Sequence, residues 1–230
     1  MNISVIIPTR NEETNIAMAI ERTATMSPHE VIVVDGGSTD NTVSIAEGCE
    51  CVVISSAAGR AAQQNTGARQ ATGDVLLFLH ADYWFESNPA DQINERLKDE
   101  RVAGGAFVHR IDSKGLLFRL IERGDSLRVQ LWGSAYGDQG IFVRRQVFEE
   151  LGGFPEVRLM EDVLFMRLLR KHSRIALLPG PLKTSARRWQ KHGVIRQTLR
   201  NWSILTAEKF GVSPDRLAAY YEPHWRRKSE

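Results

Sequence analysis

The chain has 230 residues, enough for one large α/β domain, and its 42% hydrophobic and 25% charged content excludes a disordered or fibrous protein. A net charge of +2 gives no reason to expect nucleic-acid binding, and the clusters Arg187-Arg188, Lys191 and Arg226-Arg227-Lys228 read first as solvated surface. No run approaches the roughly 20 apolar residues of a membrane-spanning helix, and the chain enters a strand at once without a leader-like start. A cytoplasmic protein with at most peripheral membrane contact is expected.

The pattern predicts a first strand over Ile3–Ile7, closed by Pro8, and a helix opened by Asn11-Glu12-Glu13 that runs to about Thr25. A second strand covers Val31–Val34, with a helix from Asn41. A third strand lies near Cys51–Ile54, followed by a helix over Gly59–Gln70 and a fourth strand, Val75–Leu79. This alternation predicts a parallel, doubly wound sheet. Later come a helix at Pro89–Lys98, a strand at Ala103–Ile111, a helix at Leu116–Arg128 and a strand at Tyr136–Val143. A short helix at Arg145–Leu151, a helix at Glu161–Lys171, a strand at Arg174–Leu178 and a long helix at Lys191–Phe210 complete the chain, with a last helix capped by Ser213-Pro214. Cys49 and Cys51, two apart in a short extended segment, would have Cα atoms about 7 Å apart, poor for a disulfide, so free thiols are expected.

Two strand ends carry candidate chemistry. VIVVDGGSTDNT ends its apolar run at Asp35, and DVLLFLHADY delivers Asp82 after His80 and Ala81. Open α/β sheets bind ligands at the carboxyl ends of their strands. Asp35 suits a ribose hydroxyl or a uracil NH, or else caps the next helix. Asp82 suits a divalent cation on a pyrophosphate, since hard cations prefer oxygen.

With these segments stand IIPTRNEE, GRAAQQNTGARQATGD, GDQGIFVRR, GGFPE, MED and RRW, all in one order. Together they resemble the family 2 glycosyltransferases of the GT-A fold, the inverting class, and among them the small bacterial members without membrane helices. The resemblance implies an α/β Rossmann-like fold: a central, mostly parallel sheet flanked by helices, with acceptor-side helices at the C-terminus. It implies one domain over 1–230, whose nucleotide-binding half is 1–85 and whose acceptor half is 86–230. Pro8, Thr9, Glu12 and Asp35 would hold a nucleoside diphosphate. Arg60 would neutralise phosphate or be a surface arginine, and Asn65 would pack beneath the nucleotide or tie loops together.

The family's Asp-x-Asp metal motif is His80-Ala81-Asp82 here. Asp82 is expected to ligate Mn²⁺ or Mg²⁺; His80 could ligate Mn²⁺, bond a phosphate or ribose, or be a strand-end histidine. Asp162 of Met160-Glu161-Asp162 is expected to be the base that takes the acceptor proton. Glu161, about 100° around the helix, would orient the acceptor or cap the helix. Asp138 lines the acceptor pocket or makes a turn. Arg188 would bind diphosphate, and Trp189 would stack on a sugar or close a lid; Ser185 in place of the motif's glutamine argues against processive synthesis. Tyr83, Trp84, Phe85 and Trp132 would stack on a sugar or fill the core.

The implied activity is transfer from a nucleotide-diphosphate sugar, UDP-linked by preference, to an acceptor hydroxyl. The resemblance is also compatible with a homodimer. A nucleotidyltransferase would need a basic glycine-rich loop where Ile6–Glu13 is acidic, and a dehydrogenase would need a G-x-G-x-x-G fingerprint. A non-catalytic nucleotide-sugar binder is the rival that the altered metal motif suggests.

Overall fold

The computed structural model describes residues 1–113, 115–132, 135, 137–184 and 193–220. Alternation along β1 (Ile3–Thr9) explains the two-layered core. Ile3, Val5 and Ile7 face one side of the sheet with Val31, Val33 and Leu77, covered by Ile16, Ala19 and Ile20 of α1 (Ile16–Ala24). Ile6 faces the other side with Ile32, Val34, Leu76 and Phe78. That face is covered by α3 (Arg60–Gln70) and by an aromatic cluster. Strands buried on both faces become continuous apolar runs, as β2 (Glu30–Asp35) and β4 (Val75–Phe78) are.

Among the described residues the sheet has eight strands, in the order β3-β2-β1-β4-β7-β6-β8-β5. β3 (Val52–Ser55), β2, β1 and β4 are mutually parallel. β7 (Ile141–Arg144) then runs antiparallel to β4 and to β6 (Val102–Ile111). β8 (Arg174–Thr184) is parallel to β6, and β5 (Tyr83–Phe85) closes the order antiparallel to β8. The other helices among the described residues are α2 (Thr42–Glu47), α4 (Pro89–Arg96), α5 (Leu116–Trp132), α6 (Arg145–Glu150), α7 (Glu161–His172), α8 (Val194–Lys209) and α9 (Pro214–Ala218).

The alternating βα half thus forms as expected, with differences that have local causes. α1 begins at Ile16, after a turn in which the N–H groups of Asn15 and Ile16 donate to Glu12 O, so the acidic pair precedes the helix. β3 starts one residue late and excludes both cysteines. Their thiols instead donate to Ile45 O and Ala46 O at 3.4 and 3.3 Å, and both are free. Burial pushes the Cys51 thiol up to about 11, which makes it a poor nucleophile. The strand expected over Tyr136–Val143 is a 3-10 turn at Gly137–Gln139 followed by β7. β8 runs six residues past its expected end because β6 and β5 pair along it; three-residue β5 is too short to read from alternation.

Glycine sets one close contact in this core. A Cβ on Gly67 of α3 would stand 2.5 Å from Ile6 Cγ2 and 2.9 Å from Val34 Cγ2, so the helix lies directly on β1 and β2. Gly67→Ala is expected to destabilise the fold by about 1–3 kcal/mol, the usual cost of overpacking. Urea denaturation would show this as a lower midpoint, and an unchanged midpoint would contradict the packing described.

Candidate active site

Parallel strands end together, and this brings the first candidates to one edge. Thr9 pairs with Asp35, and Asp35 with Ser55, at the last register positions of β1, β2 and β3. Beyond them the loops 10–15 and 36–42 are joined by polar contacts. Asn11 N–H donates to Ser38 Oγ (2.9 Å), Thr39 N–H to Asn11 Oδ1 (2.8 Å) and Glu12 N–H to Thr42 Oγ1 (2.8 Å). The Glu12 carboxylate accepts from Asn15 Nδ2 at 2.6 Å, and Pro8 lies opposite Val34 in the strand register.

Asp35 is buried and caps the turn that follows it. Its oxygens accept from the N–H groups of Gly37 and Ser38, each at 3.0 Å to Oδ2, and Oδ1 accepts from the Ser38 hydroxyl. Asp35 does not cap the next helix; the carboxylate just before that helix is Asp40, which accepts from Thr42 N–H at 3.0 Å. Sequence reading missed Gln63. Its amide donates to Thr9 O (2.7 Å) and Val34 O (2.8 Å), tying the ends of β1 and β2 to α3. The sequence carries little signal for it, because a glutamine in the helix RAAQQNTGARQ is ordinary until its partners are known.

A second group forms around Gly137. A Cβ there would stand 3.2 Å from both Asp162 Oδ2 and His80 Nε2, and 3.9 Å from Arg60 Nη1. A side chain at this position would press on Asp162 and His80, which would have to give by a few tenths of an ångström, so glycine leaves these groups their shared space. The Gly137 N–H donates to Asp162 Oδ2, and Val163 N–H donates to Asp162 Oδ1 at 2.7 Å. Both carboxylate oxygens are therefore fixed in place. Met160, at φ 68°, makes the left-handed turn that starts α7 and presents Glu161 and Asp162, both buried. Such a turn is costly for a residue with a side chain and is concentrated at functional sites.

Glu161 is only 3% exposed, and its Oε1 makes no hydrogen bond. Arg60 Nη1 lies 3.4 Å away as an ion pair without hydrogen-bond alignment. Burial pushes the Glu161 carboxyl up to about 7; the Arg60 charge opposes this and the Asp162 charge adds to it.

The GGFPE segment positions α7. Asn65 Nδ2 donates to Phe154 O (2.9 Å), and Phe154 N–H donates to Asn65 Oδ1 (2.8 Å), so Asn65 acts as the loop tie. Phe154 packs 4.8 Å from Phe78 at the end of β4 and 4.8 Å from Phe165 on α7. Each such ring pair adds about 0.5–1.5 kcal/mol beyond area burial. The cluster links the strand before His80 to the helix that carries Asp162.

His80 and Asp82 lie in the turn after β4, where Tyr83 N–H donates to His80 O at 3.2 Å and the Tyr83 ring meets the imidazole edge-on at 5.0 Å. Among the described residues, no group of three or more His, Cys, Asp and Glu side chains could hold a metal ion. One carboxylate and one imidazole fit a divalent cation only as a partial shell that substrate phosphate oxygens would complete. Two aromatic candidates are taken by packing: Trp84 lies under the Arg22 guanidinium at 4.6 Å, and Phe85 packs edge-on at 4.7 Å from Phe107. Arg188 and Trp189 lie outside the described residues, as do the side chains of Asp138 and Trp132.

Residues 4–152 match the family described as Glycosyl transferase family 2, and the chain belongs to that family. It is 30% identical over 176 residues to glycosyltransferase AglE of Haloferax volcanii, which covers 66% of this chain and 56% of that protein. The chain spans about half the length of the curated relatives it matches. Among solved structures it is similar to mannosyltransferase PcManGT from Pyrobaculum calidifontis, in complex with GDP-Man and Mn²⁺. The TM-score is 0.63 at 20% identity over 95% of this chain and 68% of that one. S. aureus TarS 1–349 in complex with UDP-GlcNAc gives 0.59 at 21% identity, over 80% of this chain and 58% of that one. These likenesses show the GT-A fold.

The raised Glu161 group makes a prediction about pH. Unfolded, it ionises near 4.5; folded, near 7. Between these values the folded state holds the extra proton, so its stability contribution is full below pH 4.5 and is lost as pH rises through 7. Glu161→Gln should gain thermal stability relative to the parent as pH rises from 4.5 to 7 and keep that advantage above it. Parallel melting curves across this range would check it; a constant difference would contradict the buried assignment.

Proposed function

We propose that the chain is a metal-assisted, inverting glycosyltransferase that takes a nucleotide-diphosphate sugar, UDP-linked by preference, and transfers the sugar to an acceptor hydroxyl. The observation that carries this reading is the convergence of Asp162, His80 and Arg60 on the side-chain-free surface of Gly137. Family membership and the similar structures in complex with GDP-Man and UDP-GlcNAc support the donor class. In this reading residues 1–85 hold the donor and 86–230 the acceptor.

The nucleoside lies against the loops after β1 and β2. Thr9 and Pro8 form the floor, Glu12 holds the first loop, and Asp35 faces the base or ribose. The Ser38 hydroxyl, a rotatable donor on Asp35, is the partner that a ligand NH or OH replaces. Arg60 meets the diphosphate, where a guanidinium suits oxyanions. A divalent cation, Mn²⁺ or Mg²⁺, would be held by Asp82 with His80 and would offset charge on the leaving diphosphate. Asp162 receives the acceptor hydroxyl proton as the acceptor oxygen bonds to the anomeric carbon and the bond to diphosphate breaks. One displacement with one base inverts the anomeric centre. The Gly137 N–H holds the Asp162 carboxylate for this, and Glu161, paired with Arg60, orients the acceptor.

Asp162→Asn should lower kcat by about 10²–10⁴-fold, the range for a lost general base, while donor binding survives. Release of UDP or GDP from a panel of sugar nucleotides and acceptors, with donor affinity measured alongside, tests this. An active Asp162→Asn beside an inactive Glu161→Gln would reverse the two roles. Donor binding by the parent chain with no turnover on any acceptor would favour the non-catalytic binder.

A further inference from the structure

Helix α5 buries Phe118, Glu122 and Val129. Its opposite stripe carries Leu116, Leu120 and Leu127, which are 82%, 62% and 54% exposed. α8 packs against α5 and repeats the arrangement. Gln197 and Ile204 face inward, whereas Leu199 and Trp202 are 58% and 61% exposed, and Phe210 at the helix end is 86% exposed. Single exposed leucines are ordinary, but two neighbouring helices with outward apolar stripes are not.

The outward charges on these helices have one sign. Arg123, Arg196 and Lys209 are exposed. The carboxylates of the same helices are all committed to other partners. Glu122 accepts from Ile111 N–H at 2.7 Å and pairs with Arg119 at 2.8 Å. Asp125 lies 3.5 Å from buried His109. Glu208 is held by both terminal nitrogens of Arg167, at 2.6 and 2.8 Å. No described helix is long and apolar enough to cross a membrane.

We propose that α5 and α8 form a docking surface for an anionic lipid bilayer, on which they lie rather than insert. Leu120, Leu127, Leu199 and Trp202 enter the boundary between headgroups and acyl chains, and Arg123 and Arg196 meet lipid phosphates. Apolar side chains flanked by basic ones are what such a boundary binds, with tryptophan favoured at its level. A second copy of the chain is a poorer occupant, because a two-fold contact sets the same surface against itself. It would bring arginines together with no outward carboxylate on these helices to answer them. This inference is independent of the catalytic reading above.

Sedimentation of the full chain with vesicles of phosphatidylcholine, alone or mixed with phosphatidylglycerol, tests it. Binding to the mixed vesicles should be about tenfold stronger or more, and should weaken as salt is raised. The double variant Leu120→Glu/Trp202→Glu should lose about tenfold in partitioning. Val52→Glu, a charge at an exposed apolar position on edge strand β3, should change nothing. Arg123→Glu/Arg196→Glu alters only outward groups, so it remains informative if the first variant misfolds, and it should remove the preference for anionic lipid. The proposal is overturned if the parent chain does not bind the mixed vesicles, or if folded variants bind as it does. It is equally overturned if the parent sediments as a dimer that Leu120→Glu/Trp202→Glu dissociates while vesicle binding persists.

Discussion

Two adjacent carboxylates buried at the start of one helix are the constraint around which the second half of this protein is built. Glu161 and Asp162 are 3% and 7% exposed, and burying like charges side by side is costly. The amino end of α7 offsets part of that cost through its free N–H groups and dipole, Gly137 supplies a further N–H to Asp162, and Arg60 supplies the nearest positive charge to Glu161. The left-handed turn at Met160 and the packing of Phe165 against Phe154 then hold the helix end at the sheet. What remains unbalanced is Glu161, whose raised titration and unbonded Oε1 are features that recur at functional sites.

The reversal of strand direction completes the arrangement. β1 to β4 are parallel, so their carboxyl ends bring Thr9, Asp35 and the His80 turn to one edge. β7 runs the other way and pairs Ile141 with Phe78. The residues that enter β7, Gly137 among them, therefore reach the same edge as the residues that leave β4. A parallel strand in that place would have put Gly137 at the opposite end of the sheet. The Phe78–Phe154–Phe165 contacts make the register rigid where α7 meets it.

The parallel half was legible in the sequence because β1, β2 and β4 are mostly apolar runs buried on both faces. VIVVDGG and DVLLFLHAD announce strand, edge and carboxylate in one run. What lay beyond the pattern was set by long-range contacts. The extension of β8 depends on strands that pair with it from distant positions, and β5 exists only by pairing with β8. At the site, Arg60, Glu161 and Asp162 were named from motifs, and the structure brings them together with His80. The role of Gly137 was not readable, since it lies in a backbone N–H and a missing Cβ rather than in side-chain chemistry. Gln63 was passed over for a similar reason: a glutamine in a helix has no distinctive spacing until its two carbonyl partners are known. By its place at a strand end Asp35 suits a ribose or base edge, or a helix cap, and the fold shows that it first stabilises its own turn.

In the proposed function, this edge holds a nucleotide diphosphate whose phosphates complete a metal shell begun by Asp82. Thermal unfolding with UDP and GDP, each with and without Mn²⁺, measures it most directly, because a ligand that binds only the folded state raises its melting temperature by mass action. One of the two nucleotides should stabilise the chain, and Mn²⁺ should add to that stabilisation only when nucleotide is present. Asp82→Ala should keep a folded baseline and lose the added effect of the metal. Neither nucleotide shifting the parent chain at millimolar concentration, or an equal Mn²⁺ effect in Asp82→Ala, would contradict it.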